Sequence, residues 1–462
     1  MSPQEIAREL ATKRSSPLLH EDTGTAHATK TTTIAVVGLG YVGLPLAILA
    51  SRRGYKVVGF DIDEVKIAQL QEREANFLND DDAEAFREAK DLVLTDNEQE
   101  LNAADTFIVC VPTPVHENHI PDLGPVISAS TIVGKHLRRG ALVVIESTVN
   151  PGVCERISLP ILEKVSGLSR DDFHFAHCPE RINPGDAKWD VRTIPRVIGG
   201  LNPESLDRAA TLYESLIEAQ IVRMKNIKEA EAVKMVENSF RDINIAFVNE
   251  LAMAFDKAGI DIVNVIRGAS SKPFAFMPHF PGCGVGGHCI PVDPYYLIRY
   301  GQENGFEHRF LMTARRINSG MPIYAVQMLD DMLRSRSGKF DRRRKSSLRG
   351  VQVALLGLAY KRDVPDLRES PALIIKKELE KRGADVRTYD PYAVGASSEK
   401  TLEDALVGAD AALIATDHTL FRTLSPQSFE KYGVGVVVDG RNCLDKESFL
   451  GTGIAYRGIG RT

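Results

Sequence analysis

The stretch GCGVGGHCIPVDP at residues 282–294 gathers two cysteines, a histidine and an aspartate among glycines. Glycine lets backbone approach a ligand closely, and a thiol near a carboxylate suits covalent catalysis. Four chemistries fit these residue types: a metal site, a disulfide, a phosphate cradle, or a loop presenting a catalytic thiol. Zinc needs about four clustered ligands. Cys283, His288, Cys289 and Asp293 could be forced into that role, but no CxxC pair or second ligand cluster supports it, so no metal is expected. The six cysteines, with Cys110, Cys154, Cys178 and Cys443 completing the set, have no framework spacing. Cys110, Cys154 and Cys178 lie in or beside predicted strands or turns and read as inert thiols. Cys283 is either a bystander or an oxidative partner of Cys289, and a reducing compartment favours the bystander. His288 and Cys289 are neighbours on an extended loop and tend to point opposite ways, so His288 reads as loop-shaping or substrate-contacting.

A second constellation lies at TTIAVVGLGYVGLPLAILASRRGYKVVGFDID. The β-branched run Ile34–Val37 leads into Gly38-x-Gly40-x-x-Gly43, an apolar helical stretch follows, and the strand Lys56–Phe60 ends at Asp61. That context turns a weak glycine pattern into a dinucleotide-binding βαβ unit, with pyrophosphate at the helix N-terminus and Asp61 on the ribose hydroxyls. Its carboxylate would repel a 2′-phosphate, which favours NAD over NADP. Further strands are predicted at 106–114, 141–148 and 173–180, each ending in small, polar or proline residues. Ligands bind beyond the carboxyl ends of such strands, so Thr113, Thr148 and Glu180 should converge on one cleft.

The elements that position these residues follow from periodicity. From about residue 228, Val233, Val236, Phe240, Ile243, Phe247, Leu251 and Ala254 recur every three or four positions. This predicts a helix about 45 Å long at 1.5 Å per residue, able to link two domains, with a stripe that could serve a dimer. Lys234 and Asn238 share one face of it; on spacing alone they could be a solvated pair. The basic stretch RSRSGKFDRRRKSSLRG reads as a linker, after which VQVALLGLAYK, ADVRTYDP, AALIATD and GVVVDG restore an αβ rhythm. The first turn there carries only Gly357, so a second dinucleotide is not expected; Lys361, Arg368 and Arg441 at its strand ends could grip phosphates.

A chain of 462 residues that is 43% hydrophobic suits two or three cored domains. Its net charge of -5 gives no reason to expect nucleic acid or anionic membrane as a partner, and no run of eighteen apolar residues occurs. Without an apolar signal core in the first thirty residues, a cytoplasmic location is expected. The expected fold is α/β, with two Rossmann-like doubly wound domains joined by a long central helix. The expected division is a mobile extension at 1–30 (opening with a short helix), an NAD-binding domain at 31–227 and a central helical and dimerisation domain with the cysteine loop at 228–330. A linker at 331–350 and a second, smaller nucleotide-binding-like α/β domain at 351–462 complete it.

From about Thr31 to the C-terminus the chain resembles the UDP-glucose/GDP-mannose dehydrogenase family. The resemblance rests on GLGYVGLP, ESTVNPG, CPERINPG, EAVKMVENSFRDINIAFVNE, GVGGHCIPVDPYYL, GLAYKRDVPDLRESPA and VDGRN, in that order. It implies oxidation of a nucleotide-sugar C6 alcohol to a carboxylate by two NAD+ and one cysteine, through a thiohemiacetal and a thioester. Carried over by position, Cys289 is the nucleophile, and Lys234 and Asn238 stabilise the oxyanion. Asp293 helps position water and the lysine, Glu180 does base work and binds sugar, and Thr148 holds water or substrate near the nicotinamide. Proton transfers stay divisible among Glu180, Asp293 and a water on Lys234. The resemblance sets Gly38, Gly40, Tyr41, Val42, Gly43, Asp61, Thr113, Thr148 and Arg368 against NAD. It sets Glu180, Arg181, Lys234, Asn238, Gly286, Gly287, Lys361 and Arg441 against the substrate, and implies at least a homodimer.

Val292 stands where the UDP-glucose branch carries lysine, and PERINPG stands where that branch has PEFL. Both resemble the branch acting on UDP-N-acetylhexosamines, UDP-GlcNAc ahead of UDP-ManNAc. A UDP-glucose enzyme and a catalytically silent nucleotide-sugar sensor are the alternatives.

Overall fold

The computed structural model describes residues 32–75, 77–89, 91–116, 120–182, 189–336 and 348–461. The expected N-terminal extension and its short helix, residues 183–188 of the PERINPG region and residues 337–347 of the expected linker lie outside the described residues.

Runs of β-branched and aliphatic residues form β1 (Thr33–Val37), β2 (Lys56–Phe60), β3 (Leu92–Thr95), β4 (Thr106–Val109), β5 (Leu142–Ile145) and β6 (His174–His177). They are parallel and ordered 3-2-1-4-5-6, the arrangement of a doubly wound dinucleotide-binding sheet. Both faces are covered, which is why the strands read as continuous apolar runs. β7 (Arg196–Gly200) joins antiparallel to β6, and β8 (Ile221–Arg223) pairs parallel with β7. β3, β7 and β8 were not foreseen; β8 is three residues long.

The strands are shorter than the sequence runs suggested. Pro112 and Pro114 cannot donate to a ladder, and the backbone N–H groups of Glu146 and Ser147 both turn onto the Val109 carbonyl as the chain leaves the sheet. Thr113, Thr148 and Glu180 therefore sit on loops beyond the carboxyl ends of β4, β5 and β6.

Between β1 and β2 lies α1 (Gly43–Arg52); α2 (Ile227–Ala258) is the expected long helix. Asn226 caps α2 by accepting the Glu229 N–H, and Gly259, at φ 70°, ends it. The face that α2 buries is not the apolar stripe. It carries Ala230, Glu231, Lys234, Met235, Ser239, Asp242, Ala246 and Asn249, whereas Val236, Phe240 and Phe247 are 59%, 48% and 54% exposed. Small and hydrogen-bonded polar residues allow the sheet and neighbouring helices to come close, leaving the bulky stripe outside.

Beyond a short helix at Ile262–Ala269, the centre holds α3 (Asp293–Glu303) and α4 (Arg309–Arg336). The latter runs on into the stretch expected as linker. Met332 is buried there, and Arg336 donates to the carbonyls of Gly435 and Gly453.

A second parallel sheet holds β9 (Gln352–Leu356), β10 (Asp385–Tyr389), β11 (Ala411–Ile414), β12 (Val436–Asp439) and β13 (Ala455–Gly458), ordered 10-9-11-12-13. After β9, the Asp390 carboxylate accepts the N–H groups of Leu358 (2.7 Å) and Ala359 (2.8 Å), which occupies donors that a phosphate would need. Among the described residues no helix is long and apolar enough to cross a membrane.

Candidate active site

The glycines after β1 have separate duties. At Gly38, φ is +94° and a Cβ would lie 2.9 Å from the Cys110 carbonyl oxygen; at Gly43 it would overlap the Gly38 carbonyl. Both are required by the strand–helix junction itself. A Cβ on Gly40 would meet no protein atom within 4 Å. Internal packing does not call for that glycine, and the space in front of it adjoins the turn that opens α1, the place for a pyrophosphate. Asp61 is buried, accepts the Leu39 and Asp63 N–H groups (2.8 and 3.1 Å) and pairs with Lys66 at 2.8 Å. These residues fit a dinucleotide. Lys66 escaped the sequence reading, although it lies five residues past Asp61 on the following helix.

Tyr41 and Val42 form the turn entering α1. The Tyr41 ring centroid lies 4.8 Å from that of Phe77, and the Arg368 guanidinium, held on both oxygens of Asp366, stands 5.5 Å from it. Arg368 thus reaches from the second sheet's side to the cofactor edge of the first. Thr113 is buried; its carbonyl and that of Pro114 accept the Tyr296 hydroxyl of α3 at 3.1 and 3.2 Å. Thr148 is half-buried, next to Ser147, whose hydroxyl donates to the Val111 carbonyl at 2.8 Å.

The 282–293 loop is anchored at both ends. Gly282 N–H donates to Asn249 Oδ1 (3.0 Å), Cys283 Sγ lies 3.6 Å from the Gly440 carbonyl, and Gly287 N–H donates to the Arg368 carbonyl (3.1 Å). A Cβ on Gly286 or Gly287 would come within 2.7 Å of the Tyr360 side chain, so the close approach these glycines allow is to the second domain. At the far end the N–H groups of Val292 and Asp293 both reach the Cys289 carbonyl (3.1 and 2.8 Å), turning the chain into α3.

That turn brings Asp293 to α2. Asn238 Nδ2 donates to Asp293 Oδ2, and Lys234 Nζ lies 3.7 Å from Glu180 Oε2. Glu237 takes Arg181 through two nitrogens, and Arg181 Nη1 also donates to the Pro195 carbonyl at 2.9 Å. Lys234 and Asp293 are buried, Asn238 and Glu180 half-buried, and Cys289 is exposed on the cleft. The solvated Lys–Asn pair is therefore excluded.

Burial pushes the Asp293 carboxyl up to about 7, against the pull of Lys234 and of the Asn238 hydrogen bond, with Glu180 adding to the rise. Burial also raises Glu180, opposed by Lys234 and Arg196. For Lys234 burial favours the neutral amine, but Glu180, Cys289, Asp293 and Glu237 outweigh it and hold the ammonium above its ordinary value. Desolvation by the surrounding protein pushes the Cys289 thiol up to about 12, Asp293 adding and Lys234 opposing. At neutral pH the sulfur is a thiol that needs a base, and carboxyls able to act as one stand beside it. Such a set can move protons and stabilise an oxyanion.

Cys283 and Cys289 are both free thiols, the first buried against Gly440 and the second on the cleft. His288 is lowered by burial and by Arg368, against Asp366. Cys110, Cys154 and Cys178 are raised by burial. At the other end of the cleft Arg441 follows β12 with Nε 3.4 Å from Asp417 Oδ1, and the missing side chain of Gly282 leaves room for its guanidinium. Lys361 is half-buried on the loop after β9. Behind Glu180 the sequence reading missed a fully buried ion pair, Glu146 with Arg196 at 3.3 Å, beneath the Tyr213 hydroxyl. Its signal was a charge interrupting each apolar run, in ALVVIEST and TIPRVIGG.

Sequence and structure comparisons agree with this geometry. Models of the UDP-glucose/GDP-mannose dehydrogenase family match residues 32–217 (NAD binding domain), 228–320 (central domain) and 354–446 (UDP binding domain). The UDP-N-acetyl-D-glucosamine 6-dehydrogenase of Pseudomonas aeruginosa is 40% identical over 90% of this chain and 97% of its own. The UDP-N-acetyl-D-mannosamine dehydrogenase of Pyrococcus horikoshii is 37% identical over 93% of this chain and 99% of its own. The solved structure of the Pyrococcus horikoshii enzyme superposes with a TM-score of 0.86, at 37% identity over 93% of this chain and 99% of that one. A UDP-glucose dehydrogenase structure from Pyrobaculum islandicum gives 0.83 at 28% identity, over 95% of this chain and 100% of that one.

Proposed function

Because this chain belongs to the UDP-glucose/GDP-mannose dehydrogenase family and is an NAD-dependent nucleotide-sugar 6-dehydrogenase, we propose that its substrate is a UDP-N-acetylhexosamine, UDP-GlcNAc ahead of UDP-ManNAc. The observation that carries the reading is the meeting of Cys289, Lys234, Asn238, Asp293 and Glu180 on one cleft between the two sheets. Relatives acting on either epimer support the N-acetyl sugar, as does Val292 where the UDP-glucose branch has lysine. The choice of epimer rests on the likeness of PERINPGD…RTIPRVIGG to the UDP-GlcNAc enzymes.

When bound, NAD+ supplies the hydride acceptor, one molecule for each oxidation. Glu180 takes the C6 hydroxyl proton as the first hydride leaves, and Lys234 with Asn238 steadies the oxygen of the resulting aldehyde. Cys289 Sγ then bonds to C6, its proton passing by way of Asp293 to the former carbonyl oxygen. Loss of the second hydride and of that hydroxyl proton leaves a thioester. Water adds, the C6–S bond breaks, and the thiol re-forms as the uronate departs. Gly38, Gly40, Tyr41, Val42, Gly43, Asp61, Thr113, Thr148 and Arg368 hold the cofactor. Arg181, Gly286, Gly287, Lys361 and Arg441 hold the UDP-sugar. The exposed Val236, Phe240 and Phe247 on α2 support self-association into at least a dimer.

The test is NADH stoichiometry with purified UDP-GlcNAc, UDP-ManNAc and UDP-glucose. Two NADH per N-acetyl sugar are expected, with the highest kcat/KM for UDP-GlcNAc, and no acid product from Cys289→Ser. One NADH per sugar, or an unimpaired serine variant, refutes the thioester route. Binding of both ligands without any NADH indicates the silent sensor.

A further inference from the structure

Glu231 lies on α2 one turn before Lys234 and is completely buried. Its carboxylate spans two backbone donors of another element: Oε2 accepts the Gly152 N–H and Oε1 the Cys154 N–H at 2.9 Å. Those donors open the π-helical turn Cys154–Ser158 and close the ESTVNPG loop that carries Thr148. The Cys154 thiol lies 3.7 Å from His177 Nδ1, at the end of β6 and three residues before Glu180. One side chain thus meets the loop bearing Thr148 and, through Cys154, the strand leading to Glu180. It projects from the helix face that carries Lys234 and Asn238, since residues three and seven further along share that face.

We propose that Glu231 is a positioning residue that sets the Thr148 loop in register with Lys234 and Asn238. This rests on reading the cleft as the dehydrogenase site. A carboxylate suits the task because it is an acceptor only, and two rigid N–H donors fix both of its oxygens. Burial raises Glu231 to about 7 while the two N–H groups oppose that rise, so the contact draws on charge-assisted hydrogen bonds as well as on packing. Glutamine in its place would turn an NH2 toward a backbone N–H, breaking one contact and freeing the loop to shift.

The test is a double-mutant cycle of Glu231→Gln and Thr148→Ala in the full chain, reading kcat and the KM values for UDP-sugar and NAD+ beside thermal unfolding. Glu231→Gln should lower kcat by about 10- to 100-fold, as expected for a misplaced reacting geometry, with the UDP-sugar KM nearly unchanged. In the Thr148→Ala background the same change should cost less than about threefold, because the group it positions is gone. Multiplying effects, or a fully active Glu231→Gln beside an impaired Thr148→Ala, overturn the proposal and leave the site reading standing. An unimpaired Thr148→Ala overturns the role read for Thr148 and the proposal with it. Glu231→Asp, which keeps the charge but shortens the reach, carries the same expectation if the glutamine variant does not fold. Failure of both to fold makes Glu231 a folding residue and ends the proposal.

Discussion

Replacing Lys234 by methionine keeps most of the side-chain length and removes the buried positive charge beside Glu180 and Asp293. The ammonium stands 3.7 Å from Glu180 Oε2, with both side chains largely buried. At an effective dielectric of about 20, two unit charges at that distance attract by about 4.5 kcal/mol. Lys234 is also the leading influence holding Asp293 and Glu180 down against burial, so without it both carboxyls keep their protons to higher pH. Two effects follow. The lost oxyanion donor should cost about 10²- to 10³-fold in kcat, and the acid limb of the pH–rate profile, expected near 7 from the Asp293 carboxyl, should move upward. Initial rates of NADH formation across pH, at saturating sugar and NAD+, separate the two. A kcat loss of under about tenfold at the optimum, or an acid limb that stays or moves downward, would refute the electrostatic account.

Asp293→Asn should lose activity yet gain stability at alkaline pH. Its folded value, about 7, lies above the ordinary carboxylate value of 3.8, so the folded protein binds more protons than the unfolded chain between them. That difference makes the contribution of this group fall as pH rises from about 4 to 7, by up to about 4 kcal/mol. Unfolding midpoints should therefore diverge in favour of the variant at pH 8 and coincide near pH 4; equal midpoints at pH 8 would contradict this. Gly40→Ala should fold normally and weaken NAD+ binding, whereas Gly43→Ala should fail to accumulate as folded protein, because only the second Cβ meets protein atoms. Calorimetry together with circular dichroism distinguishes them. Phe240→Glu with Phe247→Glu should lower the sedimenting mass; an unchanged mass would remove these side chains from any interface.

Much of the cofactor half was legible because its rules are local. A strand, three glycines and an acid at the right spacing leave few alternatives, and β1, α1 and β2 formed where that pattern put them. The placing of Lys234 and Asn238 in the cleft was legible only through family resemblance, since spacing alone cannot distinguish a solvated lysine from a buried one. The apolar stripe misled for a physical reason: the helix buries small and hydrogen-bonded polar residues and leaves large apolar ones outside. Periodicity reports that two faces differ without saying which is buried. Lys66, Arg196 and Glu231 escaped because each matters through a partner distant in sequence or on another element, and a sequence read one residue at a time does not show partners.

The support for the 282–293 loop bears on how this protein could be dissected. Its two sheets invite the view that each domain could be made alone as a working module. Yet the thiol-bearing segment rests on Gly440, Tyr360 and Arg368 from the C-terminal sheet, while its other end is tied to α2 through Asp293. A fragment ending before Gln352 would keep the glycine triplet, Lys234 and Cys289 in its sequence and lose the floor on which the cysteine loop lies. Cys289, the proposed nucleophile, belongs to the seam, so neither half inherits it intact.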